Sequence, residues 1–200
     1  MSLKASESLL AEVRACTLCS TAFDHLPRPV LQAHPKARVL IAGQAPGAKV
    51  QASGKPFDDA SGERLRRWMG IDEKTFRDPQ CVAIVPMAFC YPGKGRSGDL
   101  PPPAICAATW RRRVLDMLTN IRLTLLIGQY AQQWHLDRKG DNLTQTVAQW
   151  QALPESLVAL PHPSPRNNIW LKKNPWFEQT LVPILQQRVA RALALSGPGS

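Results

Sequence analysis

Residues Val39-Leu40-Ile41-Ala42 form an unbroken apolar run that stops at once in Gly43-Gln44-Ala45-Pro46-Gly47. Apolar residues without alternation suit a strand buried on both faces, as in a parallel sheet covered by helices on either side. Such a strand cannot stand alone, so the chain must supply neighbours of the same kind. Strands are expected over 38–42, 82–85, 123–127 and 157–160, each apolar and each ended by glycine or proline. Helical periodicity separates them, which predicts an α/β class: a three-layer sandwich with a central, mostly parallel four-stranded sheet flanked by helices.

A first helix is expected over 5–15, with Leu9, Leu10 and Val13 on one face and Ser6 or Ser8 as N-cap. A second is expected over 63–69, capped by Ser61, with Leu65, Trp68 and Met69 on its apolar side. Residues 104–118 read as a helix made basic by Trp110-Arg111-Arg112-Arg113, and 130–136 as a short one. Residues 176–195 form a terminal amphipathic helix with Pro175 at its start and Pro183 inside it. The stretch 91–103 is a long loop of Gly, Pro, Lys and Arg, and loops of that length are commonly functional. One domain is expected over 1–195, and Ser196-Gly197-Pro198-Gly199-Ser200 reads as a flexible tail.

The charge balance narrows the partners. With 25 Lys and Arg against 15 Asp and Glu, the formal net charge is +10, a bias that favours a polyanion. No apolar run is long enough to cross a membrane and no signal core follows Met1, so a cytoplasmic protein without a membrane partner is expected. Five cysteines, at 16, 19, 81, 90 and 106, are an odd number for a disulfide framework and point to metal binding. Four soft thiolates suit an iron–sulfur cluster or tetrahedral zinc. Cys81 stands outside the pairs Cys16–Cys19 and Cys90–Cys106 and reads as a small buried hydrophobe.

In a parallel sheet the loops that follow the strands share one edge, where ligands bind. Three of them carry unusual chemistry: 43–47, the stretch from Cys90 onward, and Pro161-His162-Pro163-Ser164-Pro165-Arg166. Their convergence would enclose a pocket walled by Gln44, Phe57, Asp58, Asp59 and His162.

Gly43-Gln44-Ala45-Pro46-Gly47, Gly54-Lys55-Pro56-Phe57 and His162-Pro163-Ser164, in that order, resemble the uracil-DNA glycosylase superfamily, and within it the iron–sulfur family 4 branch. The pairs Cys16-x2-Cys19 and Cys90-x15-Cys106 match the spacings of that branch's [4Fe–4S] ligands. The resemblance implies a DNA repair enzyme that flips a damaged base out of the duplex and hydrolyses its glycosidic bond, working as a monomer on DNA. It implies Phe57 stacked on the base, with Gly43, Ala45 and Asp58 completing the base-binding set. It also implies His162 hydrogen-bonded to a base carbonyl, and Ser164 and Arg166 against the DNA backbone. Lys94, Arg96 and Arg112, with Arg111 and Arg113, would add phosphate contacts.

Two departures stand out. Family 4 has Glu where this chain has Gln44, which can orient a water but carries no charge. Asp59 is the preferred replacement carboxylate, although it and Asp58 equally suit capping of the helix that follows. The branch also places a uracil-reading Asn where this chain has Pro86. Uracil is therefore only the default base, and a catalytically impaired DNA-binding relative that keeps the fold and cluster is the alternative.

Overall fold

A computed structural model describes residues 2–96, 98–136 and 142–194; the tail expected over 196–200 lies outside the described residues. In chain order the elements are α1 (Leu3–Arg14), β1 (Val39–Ala42), α2 (Ala48–Ser53), α3 (Ala60–Met69), α4 (Glu73–Arg77), β2 (Val82–Ile84), β3 (Lys94–Gly95) and β4 (Gly98–Asp99). There follow α5 (Ala104–Cys106), a π turn at Ala107–Arg111, α6 (Arg112–Asp116), β5 (Leu123–Ile127), α7 (Gln129–Leu136) and α8 (Leu143–Ala148). Next are β6 (Leu157–Leu160), α9 (Asn168–Lys173), a π turn at Phe177–Leu181 and α10 (Val182–Ala194).

The main sheet has the order β2-β1-β5-β6, and every pairing in it is parallel: Leu40 faces Ala83 on one side and Thr124 on the other, and Leu125 faces Val158. All of β1 and β5 is buried, as their lack of alternation predicts. Successive side chains enter opposite layers. Val39 and Ile41 pack with Leu65, Trp68 and Phe76 and with Leu185 and Val189 of α10. Leu40 packs with Leu9, Leu10 and Val13 of α1 and Val114 of α6. The three-layer architecture expected from the sequence is the one observed.

Differences from expectation have local causes. The Ser2 side chain accepts from Ala5 N–H and caps α1, while Ser6 sits inside the helix and donates to Ser2 O at 3.1 Å. Asp59, not Ser61, caps α3 by accepting from Gly62 N–H at 3.1 Å. The helices α2, α4, α8 and α9 have five or six residues each, too short to show a period. The loop 91–103 contains an antiparallel ribbon, Lys94 opposite Asp99 and Gly95 opposite Gly98. The two longest expected helices each contain a π turn; the second directly precedes Pro183, whose ring cannot donate to the turn before it.

Arg111 departs most. Expected on a basic face, it is fully buried. Its guanidinium donates to Val85 O at 3.2 Å, approaches His135 Nε2 at 3.0 Å and lies 4.4 Å from the centre of the Trp134 ring. The π turn inserts one extra residue, which rotates Arg111 inward under the helix and leaves Arg112 and Arg113 outside.

Candidate active site and cysteine-lined cavity

All four strands of the main sheet run the same way, so the loops after β1, β5 and β6 meet at one edge. The chain order reverses between β1 and β5, and such a switch point opens a crevice. Both residues that leave the sheet there are glycines, Gly43 and Gly128, and a Cβ added to either would meet nothing within 4 Å. Gly128 has φ +79°, a conformation that favours glycine. Open space therefore begins at the backbone of the two central strands.

His162 enters from the loop after β6. Its Nδ1 accepts the Ser164 backbone N–H at 3.2 Å, which leaves Nε2–H as the donor of the neutral ring. Burial pushes the imidazole pKa down, against an upward pull from the Asp59 and Asp99 carboxylates. Asn167 Nδ2 donates to His162 O at 2.7 Å, and Ser164 Oγ accepts Arg166 N–H at 3.2 Å. Arg64 of α3 binds the same loop, donating to Ser164 O at 3.1 Å and to Asn168 Oδ1 at 2.8 Å. The loop is thus braced at both ends before any ligand arrives.

Phe57 is the one non-glycine described residue with positive φ, +52°. Strained residues of this kind persist where surroundings hold them. Arg77 donates to the carbonyls of Pro56 and Phe57, Phe76 meets the Phe57 ring edge-on at 6.1 Å, and a Cβ on Gly62 would sit 1.9 Å from Phe57 O. The exposed Asp58 carboxylate lies 3.8 Å from Arg77. Asp59 is occupied as the α3 cap, yet close enough to His162 to influence it.

The Gln44 side chain turns across to the ribbon, Nε2 donating to Leu100 O at 2.9 Å. Gly43 O and Gln44 O accept from Met87 and Ala88 at 2.8 and 3.0 Å, which fixes the loop that contains Ala45. Lys94 and Arg96 are exposed on the ribbon, and the Arg166 guanidinium packs near its turn, 3.6 Å from where a Gly98 Cβ would stand. Arg112 is elsewhere, on α6 with its guanidinium 3.8 Å from Asp116. Asp99, at the end of the ribbon, escaped the sequence reading because nothing in its neighbourhood along the chain marks it.

The four paired cysteines line one small cleft, partly open to solvent, together with Phe23, Phe89, Trp110 and prolines 27, 29 and 103. All are free thiols. Among the described residues no three His, Cys, Asp or Glu side chains form a ready metal-binding group. Two N–H groups already point at sulfur: Trp110 Nε1 at Cys16 Sγ, 3.1 Å, and the Phe89 backbone at Cys106 Sγ, 3.3 Å. Burial and mutual repulsion push the Cys90 thiol up to about 12, and burial pushes Cys106 up to about 11. Deprotonating the set therefore requires compensating positive charge. Arg111, one π turn after Cys106, supplies one, with Nε and Nη1 buried and unpartnered. Cys81 lies apart, donating to Asp78.

The family model described as the uracil DNA glycosylase superfamily matches residues 31–186. The chain is also similar to the type-4 uracil-DNA glycosylase of Sulfurisphaera tokodaii, 22% identical over 166 residues that cover 79% of this chain and 74% of the relative.

Proposed function

We propose that this chain, which belongs to the uracil DNA glycosylase superfamily, is a DNA repair glycosylase akin to the type-4 branch, a single domain acting as a monomer that removes uracil or another deaminated base. The observation that carries the reading is the open space beside Gly43 and Gly128 at the sheet edge where β6 also ends in the His162 loop.

Chemistry follows from that geometry. A base turned out of the duplex would enter beside Gly43 and Ala45 and lie against Phe57, whose backbone already holds the ring in place without further reorganisation. Breaking the glycosidic bond leaves negative charge on the base. His162 Nε2–H is positioned to bind the oxygen where that charge collects, and burial keeps the ring in the neutral form whose tautomer Ser164 fixes. Lys94 and Arg96 on the ribbon, with Ser164 and Arg166, would grip phosphates on either side of the extruded nucleotide. No helix among the described residues is long and apolar enough to cross a membrane.

Cys16, Cys19, Cys90 and Cys106 would hold a [4Fe–4S] cluster, and the donor set fits one: four sulfurs on one cavity, two N–H groups aimed at sulfur, and a buried guanidinium without a carboxylate. When bound, the cluster supplies a cross-link between the end of α1 and the segment that carries the ribbon. Zinc would use the same thiolates, and metal analysis of the purified protein separates the two.

Excision is tested with duplexes containing uracil, hypoxanthine, xanthine or a thymine mismatch. Release of at least one base is expected. Tight, salt-sensitive binding with none released would instead favour the DNA-binding relative without catalysis.

A further inference from the structure

Gln44 leaves the loop after β1 without the carboxylate that hydrolysis of a glycosidic bond calls for, and the acids nearest in sequence are already engaged. Asp58 faces Arg77 and Asp59 caps α3. The fold brings a third acid to the same place from 55 residues further along the chain than Gln44, counting 44 to 99. We propose that Asp99 is the catalytic carboxylate of this site, an inference that rests on the glycosylase reading.

Two contacts hold Asp99 over the crevice. Leu100, the residue after it, is gripped by Gln44, whose Nε2 donates to Leu100 O at 2.9 Å. Gly98, the residue before it, lies against the loop after β6, with Arg166 Nη1 3.6 Å from where a Gly98 Cβ would stand. The ribbon therefore bridges the two walls of the crevice, and the Leu100 N–H bond to Gly93 O at 2.9 Å closes it. Between these points Asp99, itself exposed, stands beside the loop after β1. Its Oδ2 is 4.0 Å from where a Cβ on Gly47 would be, and its charge acts on both His162 and Tyr91.

Asp99 is also uncommitted. Among the described residues no hydrogen bond or ion pair engages its carboxylate. Gln44 gains a role as well: instead of activating water, it fixes the segment that does.

The step balances as a hydrolysis. The bond between C1′ of the sugar and the base nitrogen breaks, and its electron pair leaves with the base, whose carbonyl oxygen His162 binds. Positive charge on the sugar is met by the Asp99 carboxylate. Water then adds its oxygen to C1′ and gives a proton to Asp99, which returns it to solvent. The departing base takes one proton from solvent.

Single-turnover excision by the intact protein, with the four lesion duplexes above, tests this. Asp99→Asn is expected to slow release by about 100-fold or more and to keep its affinity for a duplex with a tetrahydrofuran abasic site. Asp99→Glu is expected to recover part of the rate. An Asp99→Asn rate equal to wild type overturns the assignment and leaves the glycosylase reading intact. So does a double variant, D99N/R166A, no slower than R166A alone, because Asp99 would then serve only to hold Arg166. Wild type inert on all four duplexes overturns the glycosylase reading and this assignment together.

Discussion

At the scale of single residues, strain and protonation are both set by neighbours and each gives a distinct expectation. Phe57 carries φ +52°, a left-handed conformation that costs a non-glycine residue about 1 kcal/mol. Phe57→Gly relieves that cost and Phe57→Ala does not, so the glycine variant should be more stable than the alanine variant by about 1 kcal/mol in urea unfolding. Both should lose base stacking and excise slowly to a similar degree, which separates the ring's role in chemistry from its role in packing. His135 gives the pH expectation. Burial, helped by the Arg111 cation, pushes its pKa from 6.5 down to about 4. The unfolded chain then binds a proton that the folded chain refuses, so stability is full above pH 6.5 and is lost as pH falls toward 4. The loss should reach about 2 kcal/mol by pH 4.5, and His135→Gln, which keeps an acceptor for Arg111, should remove it. Equal acid sensitivity of the two proteins by urea unfolding would refute this origin.

At the scale of elements, the four strands were legible because a strand buried on both faces shows as apolar sequence without alternation, unbroken in β1, β2 and β6 and interrupted only by the buried Thr124 in β5. The loop motifs at their ends were legible for the same reason, since a strand's end fixes where its loop must lie. The ribbon was not, because two-residue strands of Lys-Gly and Gly-Asp have no pattern to read, and with it went Asp99. Nor was the burial of Arg111, which depends on one extra residue in a helical turn. That turn yields a prediction of opposite signs. Without metal, Arg111 is an uncompensated buried cation, its pKa pushed down to about 10 by burial, and Arg111→Met should melt no lower than wild type. With the proposed cluster in place the guanidinium offsets thiolate charge, so the same variant should lose iron and visible absorbance to a chelator faster than wild type does. Matched chelator rates would remove Arg111 from any part in the cysteine site.

At the scale of the whole molecule, a net charge of +10 says that the protein will meet DNA readily but not which face it uses. The structure distributes that charge unevenly. Lys94 and Arg96 stand exposed on the ribbon and Arg166 packs near its turn, while Arg113 is held 2.8 Å from Glu12 across to α1 and Arg112 faces Asp116 on its own helix. A cation already partnered by a carboxylate releases fewer counterions when a phosphate arrives. Affinity for a lesion duplex measured against salt should therefore lose about 0.9 of its logarithmic slope for each of Lys94→Ala, Arg96→Ala and Arg166→Ala. Arg112→Ala should change the slope by less. If the ranking comes out reversed, the DNA crosses the helix that contains α5 and α6 instead of the crevice, and the cysteine-lined side becomes the binding face. The ribbon thus joins the two scales below it: its backbone carries Asp99 to the crevice, and its exposed cations bring the duplex to Asp99.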